Sequence, residues 1–220
     1  MHHSTDWPFL RPATGLMRQL RLPTKMALMV TLIALPLLGL LTVTVRDLNE
    51  RLESARGELD GARVVSLLTD VAVSTQKHRG QTNMAMSGNA QAEQALVATR
   101  EAWRRAMASV EPEQVALARW KLDKDWQAVR QVLEPLSQGQ RPGDRAGVFA
   151  AHTQQVRALS QLAAHVGETS GLLFDPEPVS FFLMDLAIER LLPLTESAGL
   201  LRGQGAGILA RGEDRKSTRL

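Results

Sequence analysis

A single uncharged apolar run near the N-terminus most constrains what this chain can fold into. Residues 26–45 read MALMVTLIALPLLGLLTVTV, lie between Lys25 and Arg46, and include eleven Leu, Ile or Val residues. At about 1.5 Å per residue, the run matches the roughly 30 Å apolar core of a bilayer. Those eleven residues contribute about −3 to −7 kcal/mol to the free energy of insertion. A helix buried in a soluble core is the alternative, but such helices rarely stay apolar on every face this long. The sequence therefore predicts a transmembrane helix over residues 26–45.

The flanking charges predict the orientation of this helix. Four bases and one acid precede the run, whereas the segment after it, RDLNERLESARGELD, carries acids as well as bases. Because positive charge is retained in the cytoplasm, residues 1–25 are predicted to be cytoplasmic and residues 46–211 periplasmic, in a bacterial inner-membrane protein. A cleaved signal peptide is the alternative. It is disfavoured because the run exceeds the usual ~7–15 apolar residues and TVTVRD offers no small-residue cleavage site.

Charge and composition exclude several functional classes. The net charge of +3 arises at the two ends of the chain, since residues 46–213 carry −2. The exported part is therefore mildly acidic, and no nucleic-acid partner is predicted. The absence of cysteine fits an exported domain that does not depend on disulfides. The sequence also has no His-x-x-x-His pair and no phosphate-binding glycine loop, so it predicts no catalytic residue, metal site or cofactor.

Helical periodicity predicts an all-α architecture for the exported part. Turn signals at 87–89, 137–144 and 171–178 separate four helical segments. The sequence thus predicts a transmembrane helix leading into an elongated antiparallel four-helix bundle. Residues 212–220, GEDRKSTRL, end the helical pattern, and RKSTRL resembles the translated sequencing-adaptor tails of truncated reading frames. We treat them as a non-native tail and the bundle as truncated.

Two of the segments contain prolines that predict irregularities. The second segment is expected to be one helical stretch over residues 90–136 that breaks or restarts at Glu111-Pro112. The fourth begins near Pro178 and is expected to be kinked at Pro193.

An apolar stripe directly after the membrane helix predicts a partner. Its residues are spaced 4, 3, 4 and 3, which suits coiled-coil packing; they are Leu48, Leu52, Ala55, Leu59 and Ala62. A parallel homodimer would cover this stripe, and a later helix of the same chain is the alternative.

A polar cluster, QKHRGQT at 76–82, provides the candidate binding residues. His78 falls on the apolar stripe of its helix and Arg79 borders it, so strongly polar groups are predicted to face the bundle interior. A buried guanidinium needs an anion. One hypothesis is a small anionic ligand between helices, with Arg79 as its forked donor and with His78, Gln76 and Thr82 beside it. The alternative is an internal ion pair, for which the candidate acids are Asp175, Asp185 and Glu189.

For the segment LFDPEPVSFFLMD at 173–185, the sequence predicts roles in packing and helix capping. Phe181 and Phe182 are predicted to be core residues, and Asp175 and Ser180 to cap helices. Two helix-surface pairs are expected farther along the chain, Asp185 with Arg190 and Glu196 with Arg202.

Together these motifs resemble a known family. A single N-terminal span, the helix with QKHRGQTNMAMSGN, and DPEPVSFFLMDLAIERLLPLTESAGLLRGQGAGILARG resemble the exported sensor regions of bacterial methyl-accepting chemotaxis proteins. They are also similar to nitrate- and nitrite-sensing helical domains, in which the arginine matching Arg79 is associated with anion binding. The resemblance implies a homodimeric sensor that responds to a small periplasmic ligand and signals across the inner membrane.

Two other functions stay open on the sequence alone. The same sensor could precede a diguanylate cyclase or histidine kinase. A membrane-anchored structural or assembly protein is the third hypothesis, for which a bundle without a polar interior is expected.

Overall fold

The computed structural model describes residues 21–174 and 178–211, without the side chains of residues 178, 180, 181, 189, 204 and 206–211. Across this part of the chain all regular structure is helical and no strand is present, which confirms the all-α prediction. The predicted tail at 212–220 lies outside the described residues.

In chain order the α-helices are α1 (Leu22–Ala85), α2 (Ala90–Val110), α3 (Gln114–Arg119), α4 (Asp123–Ser137), α5 (Arg145–Thr169), α6 (Pro178–Met184) and α7 (Leu192–Arg211). Short 3-10 helices lie at Glu111–Glu113 and Leu172–Phe174, and a π-helix occupies Asp185–Leu191.

The apolar part of α1 is a candidate membrane span. Its side chains over residues 26–45 are exposed, apart from the half-buried Ala34. A helix buried in a soluble core would have most of these side chains covered, so their exposure disfavours that alternative. Exposure alone does not separate a membrane span from a signal sequence, because both are apolar helices near the N-terminus. The two hydroxyls closest to the end of the run are satisfied within the helix, because Thr42 and Thr44 donate to the carbonyls of Leu38 and Leu40 at 2.7 and 2.9 Å.

Side-chain contacts define the directions of the bundle helices. Gly61 lies against Ser170 and His78 contacts His152, so α5 runs antiparallel to α1. Near the other end of the chain, Asn83 donates to the carbonyl of Gly203 at 3.2 Å. Together with a contact between Gln76 and Glu196, this makes α7 parallel to α1.

The predicted second segment folds as a hairpin of two legs, so the expectation of a single helical stretch was wrong. Salt bridges join Glu93 to Arg141 at 2.7 Å and Glu111 to Arg130 at 2.8 Å, which requires α2 and α4 to run antiparallel. Within the described residues the bundle therefore has five long helical segments. They are formed by α1, α2, α4, α5 and the continuous stretch of α6, the π-helix and α7.

The hairpin reverses at Lys121 and not at Pro112. Pro112 lies inside the 3-10 helix Glu111–Glu113, whereas Lys121 has a φ of 62° and follows the end of α3. The amide of Leu122 donates to the carbonyl of Leu117 at 2.8 Å, which is the six-residue closure of a Schellman motif. A lysine rarely occupies this left-handed position, so turn rules based on glycine do not find it.

Most of the predicted core positions are buried. The tryptophans Trp103 and Trp126 are fully buried and centre the largest apolar cluster, which joins residues of α1, α2, α4, α5 and α7. The prediction for Phe182 was wrong, since its side chain is 66% exposed. The side chain of Phe181 lies outside the described residues.

The irregularity predicted at Pro193 is a widened helix. The seven residues before Leu192 form a π-helix, Asp185–Leu191. Proline has no N–H to donate, and its ring would clash with the carbonyl four residues earlier in an α-helix. A π-helical segment relieves that clash while keeping the chain helical.

The apolar stripe of α1 stays largely uncovered by the described part of the chain. Leu48, Leu52 and Leu59 are 53, 54 and 69% exposed. Ala55 is exposed as well, and Ala62 is half-buried. Among the described residues of 54–211, no later helix covers Leu59.

Candidate functional site: the buried polar core

The predicted polar cluster lies on the inner face of α1. His78, Arg79 and Thr82 are buried, and they continue the line of buried residues from Val71 through Thr75. Gln76 is half-buried beside them. Spacings of three and four residues place these side chains on one helix face. The sequence analysis therefore located the polar face of α1 correctly.

Arg79 is held by an internal carboxylate. Its Nη1 and Nη2 donate to Oε1 and Oε2 of Glu196 at 2.5 and 2.9 Å, a bidentate ion pair between α1 and α7. Arg79 is only 2% exposed and Glu196 only 7%. Removing either partner would leave an uncompensated buried charge, so the two helices are strongly coupled at this point.

Neighbouring groups complete the coordination of this pair. Nη1 of Arg79 also donates to the hydroxyl of Thr153 at 2.9 Å, and the guanidinium lies 5.0 Å from the ring centroid of Phe149. Gln76 donates to Oε2 of Glu196 at 3.1 Å. Gly199 makes room for the guanidinium, because a Cβ there would lie 3.2 Å from Nη2.

The acid that neutralises Arg79 was not among those predicted. Asp185 forms a salt bridge with Arg190 at 2.9 Å, which is the helix-surface pair predicted from the sequence. Asp185 is therefore not the acid that neutralises Arg79. Asp175 and the side chain of Glu189 lie outside the described residues. The predicted surface pair of Glu196 with Arg202 was wrong, since six residues correspond to about 600° of rotation and place the two side chains on different faces.

His78 forms a second buried contact, with His152 of α5. Nδ1 of His152 lies 2.7 Å from the carbonyl of Val148, which can only accept, so Nδ1 carries the proton. Nε2 of His152 is then an acceptor, and Nδ1 of His78 donates to it at 2.8 Å. The hydroxyl of Thr82 lies 3.4 Å from the same Nδ1. Both tautomers are thereby assigned, and Nε2 of His78 is left as an acceptor.

Burial keeps both imidazoles neutral. Desolvation, reinforced by His152 and by the positive charges of Arg100 and Arg141, lowers the pKa of His78 to about 3. The pKa of His152 is also lowered, mainly by desolvation and further by Arg79, although its hydrogen bond to Val148 acts in the opposite direction. Protonating this pair would place positive charge in the interior next to Arg79.

Two polar atoms at this site have no hydrogen-bond partner. They are Nε2 of His78 and Nε1 of Trp103, and both are buried. The two rings are neighbours, with centroids 4.7 Å apart, and the ring of His152 stacks beside them. Buried polar groups are usually paired, so these two atoms mark a position where a further hydrogen-bonding group would be accommodated favourably.

The sequence analysis missed Glu196, His152 and Thr153 as members of this site. Glu196 follows Ile188 and Leu192 at intervals of four residues, and both are buried. The position of Glu196 on an apolar stripe was therefore the feature of the sequence that could have predicted its burial. His152 lies 74 residues from His78, and a single sequence could not show that the two side chains face each other.

Among the described residues, no group of three or more His, Cys, Asp or Glu side chains could hold a metal ion. The arrangement instead provides a buried charge pair and two neutral imidazoles that join three helices.

Comparison with known protein families, curated proteins and solved structures gave no match. The resemblance to chemoreceptor sensor regions therefore stays a prediction from the motifs.

Proposed function

We propose that this chain is the membrane anchor and exported sensory bundle of a bacterial transmembrane receptor of the chemoreceptor type. In this proposal the N-terminus is cytoplasmic, residues 26–45 cross the inner membrane, and the bundle lies in the periplasm. The exposed apolar run and the basic segment before it support this arrangement.

The observation that carries the proposal is the buried pair of Arg79 and Glu196. A bundle built only for support does not need opposite charges in its core, because apolar side chains of similar volume are often as stable or more stable. Here the pair joins α1, which also contains the candidate span, to α7. A ligand that changes this contact would change the packing of α1, which is how the signal would reach the cytoplasm.

A homodimer is part of the same proposal. The exposed leucines of the α1 stripe support it, since their spacing of seven residues per two turns suits a helix from a second copy.

The structural or assembly function remains the second candidate because of one observation. Arg79 already has a bidentate carboxylate partner, so no external anion is needed to neutralise it.

Sequencing the source gene beyond the codon for Arg211 separates these functions. A second apolar span, a HAMP segment and a long glutamate-rich heptad coiled coil are expected for a chemoreceptor. A cyclase or kinase domain would instead assign the same sensor to an enzymatic output. A natural stop codon directly after this region would contradict the receptor proposal and favour the structural function.

A further inference from the structure

A small cleft opens between α1 and α7, about one turn beyond the Arg79–Glu196 pair. Its volume is about 280 Å³, and its walls are formed by Lys77, Gly80, Gln81, Asn83, Met84, Arg202 and Gly203. The cleft is open at Gly80, where a Cβ would meet no atom within 4 Å.

The cleft is basic and contains no acid. Lys77 and Arg202 contribute positive charge from opposite sides, and neither forms a salt bridge with an acid of the described part of the chain. Arg119, by contrast, is neutralised by Asp60. Two uncompensated cations on one cleft attract an anion and lose their mutual repulsion when it binds.

The amide side chains of the cleft indicate a second chemical group that its ligand must carry, besides negative charge. Asn83 donates to the carbonyl of Gly203 at 3.2 Å, which fixes its orientation. Oε1 of Gln81 is buried and has no donor. Leaving a buried acceptor unpaired costs stability, which a ligand hydroxyl would recover after a small rotation of the Gln81 side chain.

We propose that this cleft binds a small dicarboxylate that also carries a hydroxyl group. Its carboxylates would bind Lys77 and the forked guanidinium of Arg202, and its hydroxyl would donate to Gln81. The volume lies at the lower end of ligand pockets, which restricts the ligand to a short carbon chain.

This inference rests on the proposed function, for which it supplies the ligand class and a binding site. The ligand would contact α1 and α7, the two helices that Arg79 and Glu196 already join. Occupation of the cleft would therefore alter the same contact that the receptor proposal invokes.

Isothermal titration calorimetry on the purified full chain in detergent micelles tests the cleft directly. The probes are tartronate, which has two carboxylates and a hydroxyl, malonate, which lacks the hydroxyl, and malonamide, which lacks the charge. We expect tartronate to bind more tightly than malonate, and malonamide not to bind.

Variants of exposed residues locate the site without disturbing the core. Lys77→Ala and Arg202→Ala should each weaken tartronate binding at least about tenfold, because each removes a charge-assisted hydrogen bond. Lys124→Ala and Arg157→Ala are matched controls, since both side chains are exposed on other helices. They should bind like the unmodified chain. Gln81→Met should remove the preference for tartronate over malonate.

Three outcomes would overturn the proposal: no heat of tartronate binding at millimolar concentration, equal binding of malonamide, or unchanged binding by both Lys77→Ala and Arg202→Ala. None of them bears on the gene sequence beyond Arg211, so a failure of this site is distinguishable from a failure of the receptor proposal.

Discussion

At the scale of single residues, Arg79 and Glu196 determine the electrostatics of the bundle interior. Their bidentate contact is buried and is completed by Gln76 and Thr153. From the sequence alone, loss of Arg79 would be expected to affect ligand response while leaving the fold intact. The structure changes that expectation, because the loss leaves a buried carboxylate without its cation.

The Arg79–Glu196 pair can be tested with a double-mutant cycle. Arg79→Met should lower the free energy of unfolding by about 3–5 kcal/mol, and Arg79→Met/Glu196→Met should recover most of that loss. Urea unfolding followed by circular dichroism measures both. Arg141→Met is the control, since its partly exposed pair with Glu93 should contribute no more than about 1 kcal/mol. A double variant as unstable as the sum of its single variants would contradict this account.

The buried histidines predict a dependence of stability on pH. The pKa values of His78 and His152 are lowered in the folded bundle, whereas unfolded histidine titrates near 6.5. Below about pH 6.5 the unfolded chain gains protons that the folded chain does not bind. The free energy of unfolding should therefore fall as the pH decreases, by up to about 1.4 kcal/mol per pH unit for each histidine. For His78 this window extends down to about pH 3.

Urea unfolding between pH 7 and pH 4 measures this slope. His78→Phe keeps an aromatic ring beside Trp103 and should reduce the slope by about one proton. His165→Gln changes an exposed histidine and should retain it. Equal slopes in the unmodified chain and in His78→Phe would contradict the assignment of a neutral buried imidazole.

The residue scale also shows how far one sequence could predict the site. Helical spacing alone placed His78, Arg79 and Thr82 on the inner face of α1, because their burial depends on local periodicity. Glu196 lies 117 residues after Arg79 in the sequence. Identifying it as the partner required knowing that α7 packs parallel to α1. Single-sequence periodicity carries no information on such distant pairings.

At the scale of elements, close contacts between helices depend on small residues at particular positions. A Cβ on Gly61 would lie 2.1 Å from Oγ and 2.5 Å from Cβ of Ser170, where α1 meets the end of α5. Gly80, on the same helix, has open space around the equivalent atom.

These two glycines provide a matched pair of substitutions. Gly61→Ala should destabilise the bundle by about 1–3 kcal/mol through overpacking. Gly80→Ala should stabilise it by about 0.5–1 kcal/mol, because alanine loses less conformational entropy in a helix. Thermal unfolding measures both, and Ser170→Gly should restore the Gly61→Ala variant. Equal effects of the two alanine substitutions would contradict the packing described here.

The α1 stripe predicts which positions meet in a homodimer. In a parallel two-stranded arrangement, Leu59 of one copy lies opposite Leu59 of the other. Leu59→Cys should therefore form a disulfide-linked dimer in isolated membranes under mild oxidation, as seen by non-reducing electrophoresis. Glu53→Cys, which lies off the stripe, should cross-link less. Equal cross-linking at both positions would argue against this interface.

Element boundaries were predictable where glycine or asparagine marks them. Gly88 and Gly139 have positive φ at the ends of α1 and α4, and Asn89 accepts from the amide of Ala92 to cap α2. Lys121 takes the same backbone conformation without such a signal, which is why the hairpin of α2 and α4 was not predicted. The packing of α2 and α4 stabilises a left-handed backbone conformation that lysine disfavours on its own.

At the scale of the whole molecule, the chain combines a candidate membrane span with a helical bundle whose interior is polar at one level. The apolar run predicted the span from composition, and the exposure of its side chains agrees with that assignment. Orientation, dimerisation and signalling follow from charge and contact arguments and remain proposals.

The topology of the chain is the most direct test of the proposal that it is an exported sensor. Residues 1–220 contain no cysteine, so single cysteines can be introduced without background labelling of this chain. Ser4→Cys reports on the N-terminal segment, and Ala128→Cys reports on an exposed position of α4. Each variant would be treated with a membrane-impermeant maleimide in intact spheroplasts and again after lysis. We predict labelling of Ala128→Cys in both conditions and of Ser4→Cys only after lysis, with the full-length chain in the membrane fraction. Protection of Ala128→Cys in intact spheroplasts would place the bundle in the cytoplasm and contradict the account.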